Sequence, residues 1–247
     1  LYPPKIGIQL GGTDKNLNGS IVVVSPLNTI ELNQGVGIHV LQGAHVIMQN
    51  QVRDNLGDGI LVDLLGVGSR IDSNTLKFNA SGIVVNGDAN VIESNACEEN
   101  LGDGYLIAGT GNSLLNNGSG KKTDRGNGGA GYRITGASTS VETNEAEANL
   151  GSGFVVTGTP TTFSGNNTAQ ENHGHGFDIQ SGGNTFEGCA SEANNQAESD
   201  DFHEWSFVAG QSDGGGNKAG GDTIALPGTA GACDNAEENR EFGCPLE

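Results

Sequence analysis

An all-β solenoid, a parallel β-helix of about eight or nine coils with ~22 residues in each, is the fold that this 247-residue sequence predicts. Three observations predict it. One skeleton recurs: Asn, four residues, a second Asn, two or three residues, Gly, then apolar-any-apolar. It reads NQVRDNLGDGILV from Asn50, NTLKFNASGIVV from Asn74, NACEENLGDGYLI from Asn95, NEAEANLGSGFVV from Asn144 and NTAQENHGHGFDI from Asn167. The glycines before the apolar pairs, Gly37, Gly59, Gly82, Gly104, Gly131, Gly153 and Gly176, are 22, 23, 22, 27, 22 and 23 residues apart. A second apolar column, Ile47, Ile71, Ile92, Leu114, Val141, Phe163 and Phe186, advances by 24, 21, 22, 27, 22 and 23, stretching in the same place.

Each part of the skeleton has a physical role in such a coil. The two-residue alternation Ile38/Val40, Ile60/Val62, Ile83/Val85, Tyr105/Ile107, Tyr132/Ile134, Phe154/Val156 and Phe177/Ile179 marks short strands with these side chains inward. The aromatic run from Tyr105 to Phe177 is expected to fill a wider part of the lumen. Gly at the corner permits a close backbone approach. The asparagines form two columns, Asn50, Asn74, Asn95, Asn144 and Asn55, Asn79, Asn100, Asn149, Asn172, Asn194, expected to bond amide to amide along the axis. Leucine-rich repeats have a similar length but need several leucines per unit, which this chain lacks. The five-residue slip falls at GSGKKTDRGNGG, Gly118 to Gly129, a single loop insertion. The coil is expected over 1–200, with this insertion at 118–129, and 201–247 as a C-terminal cap and acidic tail.

Composition narrows the partners. Eleven Lys and Arg against 30 Asp and Glu give a net charge of -19, which disfavours nucleic acid and anionic membranes. No apolar run approaches the ~20 residues of a membrane span. The sequence begins LYPPKIGIQLGG, without Met or a signal-peptide pattern, and reads as a processed product or a fragment. The first coil has no visible cover, so a neighbouring subunit or a removed N-terminal segment is expected to complete it. Of four cysteines, Cys97 shares an inward position with Val52, Leu76 and Ala146, and Cys189 takes a ladder-Asn position. Cys233 and Cys244 bracket a polar tail segment and are expected to form a disulfide, which implies an extracellular or periplasmic location. No metal-ligand pattern is present: Glu98, Glu147 and Glu192 occupy equivalent positions, but the spacing makes no calcium cage.

The motif N-x-x-x-x-N-x-x-G-[IVYF]-x-[VI], spread over about Gly35 to Asn195, resembles the right-handed parallel β-helix superfamily, especially its NosD-like and pectate-lyase-like repeat proteins. That resemblance implies the right-handed fold. It leaves activity open, because the superfamily includes lyases, hydrolases, epimerases, periplasmic binding components and stalks.

Two functions from different classes are therefore carried forward. The first is an extracellular non-catalytic module, a stalk, adhesin, filament or surface-associated component, that contacts glycan or a neighbouring subunit. Its surface is the outward column between the inward pairs, His39, Leu61, Val84, Leu106, Arg133, Val155 and Asp178, of which Leu61, Val84, Leu106 and Val155 are aliphatic. The second is a polysaccharide lyase or epimerase on a side groove, with Ca2+ as its cofactor if one is used. It would draw cations from Lys121, Lys122, Arg125 and Arg133 to neutralise a uronate carboxylate, with Asp201 and His203 of DDFHEW as further candidates. DDFHEW resembles the acid-and-His cluster of alginate epimerases weakly, and it coincides with the end of the repeat, where Trp205, Phe207 and Val208 would serve as a cover. The GHG at Gly174–Gly176 is also found in polygalacturonases, but the Asp pair Asp200–Asp201 follows it here rather than preceding it. His175 therefore reads as a turn residue equivalent to Asp58, Ser81, Asp103 and Ser152.

Overall fold

Alternating apolar residues interrupted by a turn every few positions cannot sustain a helix, and none forms among the described residues. The computed structural model describes residues 6–11, 28–120, 126–194 and 203–220, together with the backbone of strands Ile21–Val23, Asp222–Ile224 and Gly231–Cys233. The chain is a right-handed parallel β-helix with three sheets. In the turn that begins at Ile83, sheet I takes Ile83–Val85, sheet II Val91–Glu93 and sheet III Ala96–Glu98. Each strand pairs in register with its equivalents one turn away, as Ile83 does with Ile60 and Tyr105.

About seven turns are regular, rather than the eight or nine expected. Strands at both ends extend the sheets without repeating the unit. Ile8 pairs with Ile38, thirty positions later, so the first turn is longer than the rest. At the other end the Thr185–Glu187 strand meets Ser212–Gly215 with a register shift, and antiparallel strands then close two sheets: Gly231–Cys233 on Trp205–Phe207, and Asp222–Ile224 on Asn217–Ala219. A shifted or antiparallel strand cannot present the next turn with the same ladder, so the repeat stops there.

The inward pairs of sheet I are buried as expected. The aromatic run stacks face to face, with Tyr105–Tyr132, Tyr132–Phe154, Phe154–Phe177 and Phe177–Trp205 ring centroids 4.6, 4.7, 4.8 and 4.1 Å apart. Room for these rings comes from smaller residues on sheet III rather than from a wider lumen alone. The inward residue there is Val52, Leu76 or Cys97 in the early turns, and Ser119, Ala146, Ala169, Ser191 and Ala219 in the turns that carry Tyr105, Tyr132, Phe154, Phe177 and Trp205. The rings reach across: Tyr105 Oη donates to the Gly118 carbonyl at 2.9 Å, Tyr132 Oη to the Asn117 carbonyl at 2.7 Å, and Trp205 Nε1 to the Lys218 carbonyl at 2.9 Å.

Buried amides hold the corners. At the corner from sheet III to sheet I, Asn33, Asn55, Asn79, Asn100, Asn127, Asn149, Asn172 and Asn194 form one unbroken ladder, for which Asn79 Nδ2 to Asn100 Oδ1 at 3.1 Å is representative. The same Oδ1 accepts the Asn79 backbone N–H at 3.0 Å, and Asn100 Nδ2 donates to the Leu76 carbonyl at 3.1 Å. Asn50, Asn74, Asn95, Asn117, Asn144 and Asn167 do the same between sheets II and III, and Cys189 and Asn217 continue that column. Cys189 therefore does occupy a ladder position, and Cys97 is core.

Two consequences are measurable. Replacing Asn100 by Ala leaves buried backbone groups unpaired on two levels, so urea unfolding should show a loss of about 3 kcal/mol; a loss under about 1 kcal/mol would reject the ladder as a main support. Tyr132→Ala should cost about 3–5 kcal/mol, and adding Ala146→Phe on the opposite wall should recover part of it. A double variant no more stable than the single one would disprove the exchange of volume between sheets I and III.

Candidate functional site

The outer face of sheet I is the surface to which the sequence assigned its partner column, and three rows cross it. The middle row contains His39, Leu61, Val84, Leu106, Arg133, Val155 and Asp178, paired in register ~4.8 Å apart. It is less open than expected: Leu61 and Leu106 are half-buried, while Val84 and Val155 are only 7% and 6% exposed. The fully exposed leucines, such as Leu56 and Leu101 at 77% and 82%, sit on the corner just after the ladder asparagines. Before the middle row runs the corner row of Asp58, Ser81, Asp103, Ala130, Ser152, His175 and His203, each accepting at its carbonyl from a backbone N–H of the preceding turn. His175 is therefore a turn residue, and its Nδ1 accepts the His203 backbone N–H at 2.9 Å.

Arg133 is held where it stands. Its Nε and one terminal nitrogen donate to the two carboxylate oxygens of Asp103 at 2.7 and 3.2 Å, and Asp103 Oδ1 also accepts the Ala130 N–H at 2.7 Å. The bond to Asp103 is the main cause that raises the Arg133 pKa, so the guanidinium stays charged. His203 lies on the corner row three turns further along, ~14 Å in rise, so the structure does not bring Arg133 and His203 together. Lys121, Lys122, Arg125 and Asp201 lie outside the described residues, as do Cys244 and the side chain of Cys233. Gly120 and Gly126 show that the 118–129 insertion leaves from the corner where sheet III passes to sheet I.

A second constellation on this face escaped the sequence reading. His39 Nε2 lies 2.8 Å from Asp63 Oδ2, across one turn, and His39 Nδ1 is buried without a hydrogen-bond partner among the described residues. Asp63 opens a stretch two residues longer than its equivalents: Ile60 to Arg70 spans ten positions, where Ile38 to Val46 and Ile83 to Val91 span eight. The extra length extends the strand to Leu65, which pairs with Gln42 after a register shift. Gly43 N–H donates to the Leu65 carbonyl at 2.9 Å, and Gly66 N–H to the Asp63 carbonyl at 2.8 Å. Leu41, Asp63, Leu64, Leu65 and Asn86 line a shallow depression of about 480 Å³ beside this lip. The signal for it was the step of 24 from Ile47 to Ile71.

Among the described residues no group of three or more His, Cys, Asp or Glu side chains is placed to hold a metal ion. The two described thiols are inert by position, since burial raises the Cys97 pKa well above its ordinary value and pushes Cys189 up to about 12.

The model of the right handed beta helix region matches residues 7–119 and 81–199. The chain belongs to the right handed beta helix family. No curated protein sequence matches it. Among solved members of this architecture, the periplasmic alginate epimerase AlgG superposes with a TM-score of 0.53 at 19% identity over 75% of this chain and 44% of the epimerase chain. A single-site variant of AlgG gives 0.55 at 16% over 74% and 46%. The pectate lyase Pel9A gives 0.49 at 15% over 86% and 62%. This chain thus spans less than half of the epimerase's length, and identities this low establish a shared fold and no more.

Asp58 offers a pH test of the face. Burial is the main cause that raises its pKa, and hydrogen bonds from Ser81 oppose the shift. A carboxyl whose folded pKa is raised favours the fold below its ordinary pKa, and that contribution is lost as pH rises through the folded value. Asp58→Asn should therefore melt above the parent at neutral pH, and the gap should close in acid. A gap that widens on acidification would contradict the assignment. Native-state labelling should modify neither Cys97 nor Cys189 until the chain unfolds; rapid labelling of either would contradict their burial.

Proposed function

We propose that the chain is a glycan-contacting β-helix module acting in the periplasm or outside the cell, one that holds its ligand along the outer face of sheet I without performing chemistry on it. The state of Arg133 carries this reading. A lyase or epimerase must offer a cation to the substrate carboxylate, and this cation is committed to Asp103 by two bonds. Arg53, Arg70 and Lys77 are likewise paired within the chain, with Glu31, with Asp72 and Glu93, and with Glu98. What the face does offer is a strip whose middle row presents the half-buried Leu61 and Leu106 between polar groups, suited to the alternating C–H and hydroxyl surfaces of sugars. The periplasmic alginate epimerase of the same architecture supports both the ligand class and the compartment. A neighbouring subunit or N-terminal segment against the first coil belongs to the same proposal, as does the Cys233–Cys244 disulfide.

The second reading, a polysaccharide lyase or epimerase, draws its support from the His39–Asp63 pair. A carboxylate that orients an imidazole is a common general-base arrangement. That reading takes its cation from Ca2+ or from Lys121, Lys122 and Arg125, which lie outside the described residues.

A glycan panel with paired product analysis separates the two. The module reading expects saturable binding to at least one glycan, with no unsaturated product absorbing near ~235 nm and no change in uronate configuration by NMR. Turnover that disappears in His39→Ala or Lys122→Ala would replace it with the enzyme reading, and an absence of binding to every glycan would sink the module itself.

A further inference from the structure

We propose that the depression beside Asp63 is a subsite for a neutral hexopyranose ring, the C–H face resting on Leu41, Leu64 and Leu65 and the hydroxyls bonded by Asp63 and Asn86. The proposal rests on the glycan-contacting reading and narrows it to one place and one class of sugar.

The site is built into the fold. Leu64 and Leu65 are 74% and 67% exposed, on a strand extension that the following turn lacks. Exposed apolar surface of this kind is unfavourable by ~25 cal/mol per Å² unless something covers it. The lip that presents it is fixed by the backbone bonds from Gly43 to Leu65 and from Gly66 to Asp63. An ordered wall loses little entropy on binding. The volume of about 480 Å³ lies within the range of small-ligand sites and admits one ring with its neighbours projecting along the open strip.

Asp63 Oδ2 is fixed by His39 Nε2 at 2.8 Å, which orients the carboxylate and leaves Oδ1 to accept hydroxyl protons. Asn86 follows the next strand on the same row, and its side-chain amide makes no hydrogen bond to the described residues; it can donate to one hydroxyl and accept from another. A carboxylate and an amide beside an apolar wall bind vicinal hydroxyls. His39 serves as a positioning residue for Asp63.

Charge selects the sugar class. Among the described residues the depression is lined by a carboxylate and by no Lys or Arg, and the same face carries Asp58, Asp103 and Asp178. Arg133, the cation of the middle row, is bonded to Asp103 and stands four turns beyond His39. In a chain of net charge -19 a uronate carboxylate would meet repulsion here, whereas a neutral ring would not.

The test uses the whole chain, with neutral hexasaccharides of glucose, mannose and galactose and with oligogalacturonate and oligomannuronate as probes, read by calorimetry and by saturation-transfer NMR. At least one neutral oligosaccharide should bind, about tenfold or more tighter than either uronate. Asn86→Ala and Leu65→Ser, both partly or fully exposed and remote from the core, should each weaken it by about tenfold, and Leu150→Ser on the distant corner should not. Oligouronate binding tighter than neutral binding would overturn the sugar class. Neutral binding unchanged in both variants would overturn the subsite while leaving the glycan reading intact, and binding of no probe at all would remove the proposal together with that reading.

Discussion

Vertical repetition of buried amides is the constraint on which this structure depends. A coil that turns three corners in about 22 residues leaves corner N–H and C=O groups that no strand ladder can reach. The side chain of Asn satisfies them with an acceptor for the next backbone N–H and donors for a carbonyl and the amide beyond. Each amide works only if its neighbours stand directly above and below, so the ladders impose register on all three sheets at once. A one-residue slip in any strand would turn its apolar side chain outward and break a ladder rung in the same step.

That register has a cost in volume, and the core shows how it is met. Since turns cannot slide or spread independently, a large side chain on one wall must be matched by a small one opposite within the same turn. Tyr132 stands with Ala146, Phe154 with Ala169 and Trp205 with Ala219. The hydroxyls and the indole N–H then bond carbonyls of sheet III and the corner before it, so the rings fill the space and brace the wall they approach. Glu204 closes the long ladder by accepting from Asn194 and Ser191, an end group that uses both carboxylate oxygens in place of another amide.

The parts of the sequence that obey this constraint are the parts that could be read. The inward pairs, the two main Asn columns and the roles of Cys97 and Cys189 follow from period alone. The third corner did not, because its column mixes His45, Ser69, Asn90, Asn112, Thr139, Thr161, Asn184 and Gln211, side chains that share the ability to meet a backbone group there but share no letter. The Asp63–Gly68 extension was hidden for another reason. The corner Asn79–Gly82 is one residue shorter than Asn55–Gly59, so the step of 24 is followed by one of 21 and the columns return to phase.

Function is harder to read from such a chain because the solenoid separates its two sides. An outward residue on sheet I touches only its own row and the rows beside it, so neither the lumen nor the ladders dictate what it is. Composition along the row is free to vary from His39 through Leu61 and Val84 to Arg133 and Asp178 without any change in coil geometry. A site can therefore arise only where the outer face departs from monotony, through an added length of chain or a pair of side chains that meet across turns. The described face does both at one place: the strand that overruns to Leu65 begins its overrun at Asp63, the residue that reaches back to His39. Length and chemistry deviate together there, which a purely structural repeat gives no reason to expect, and the proposed subsite rests on this coincidence more than on any single residue.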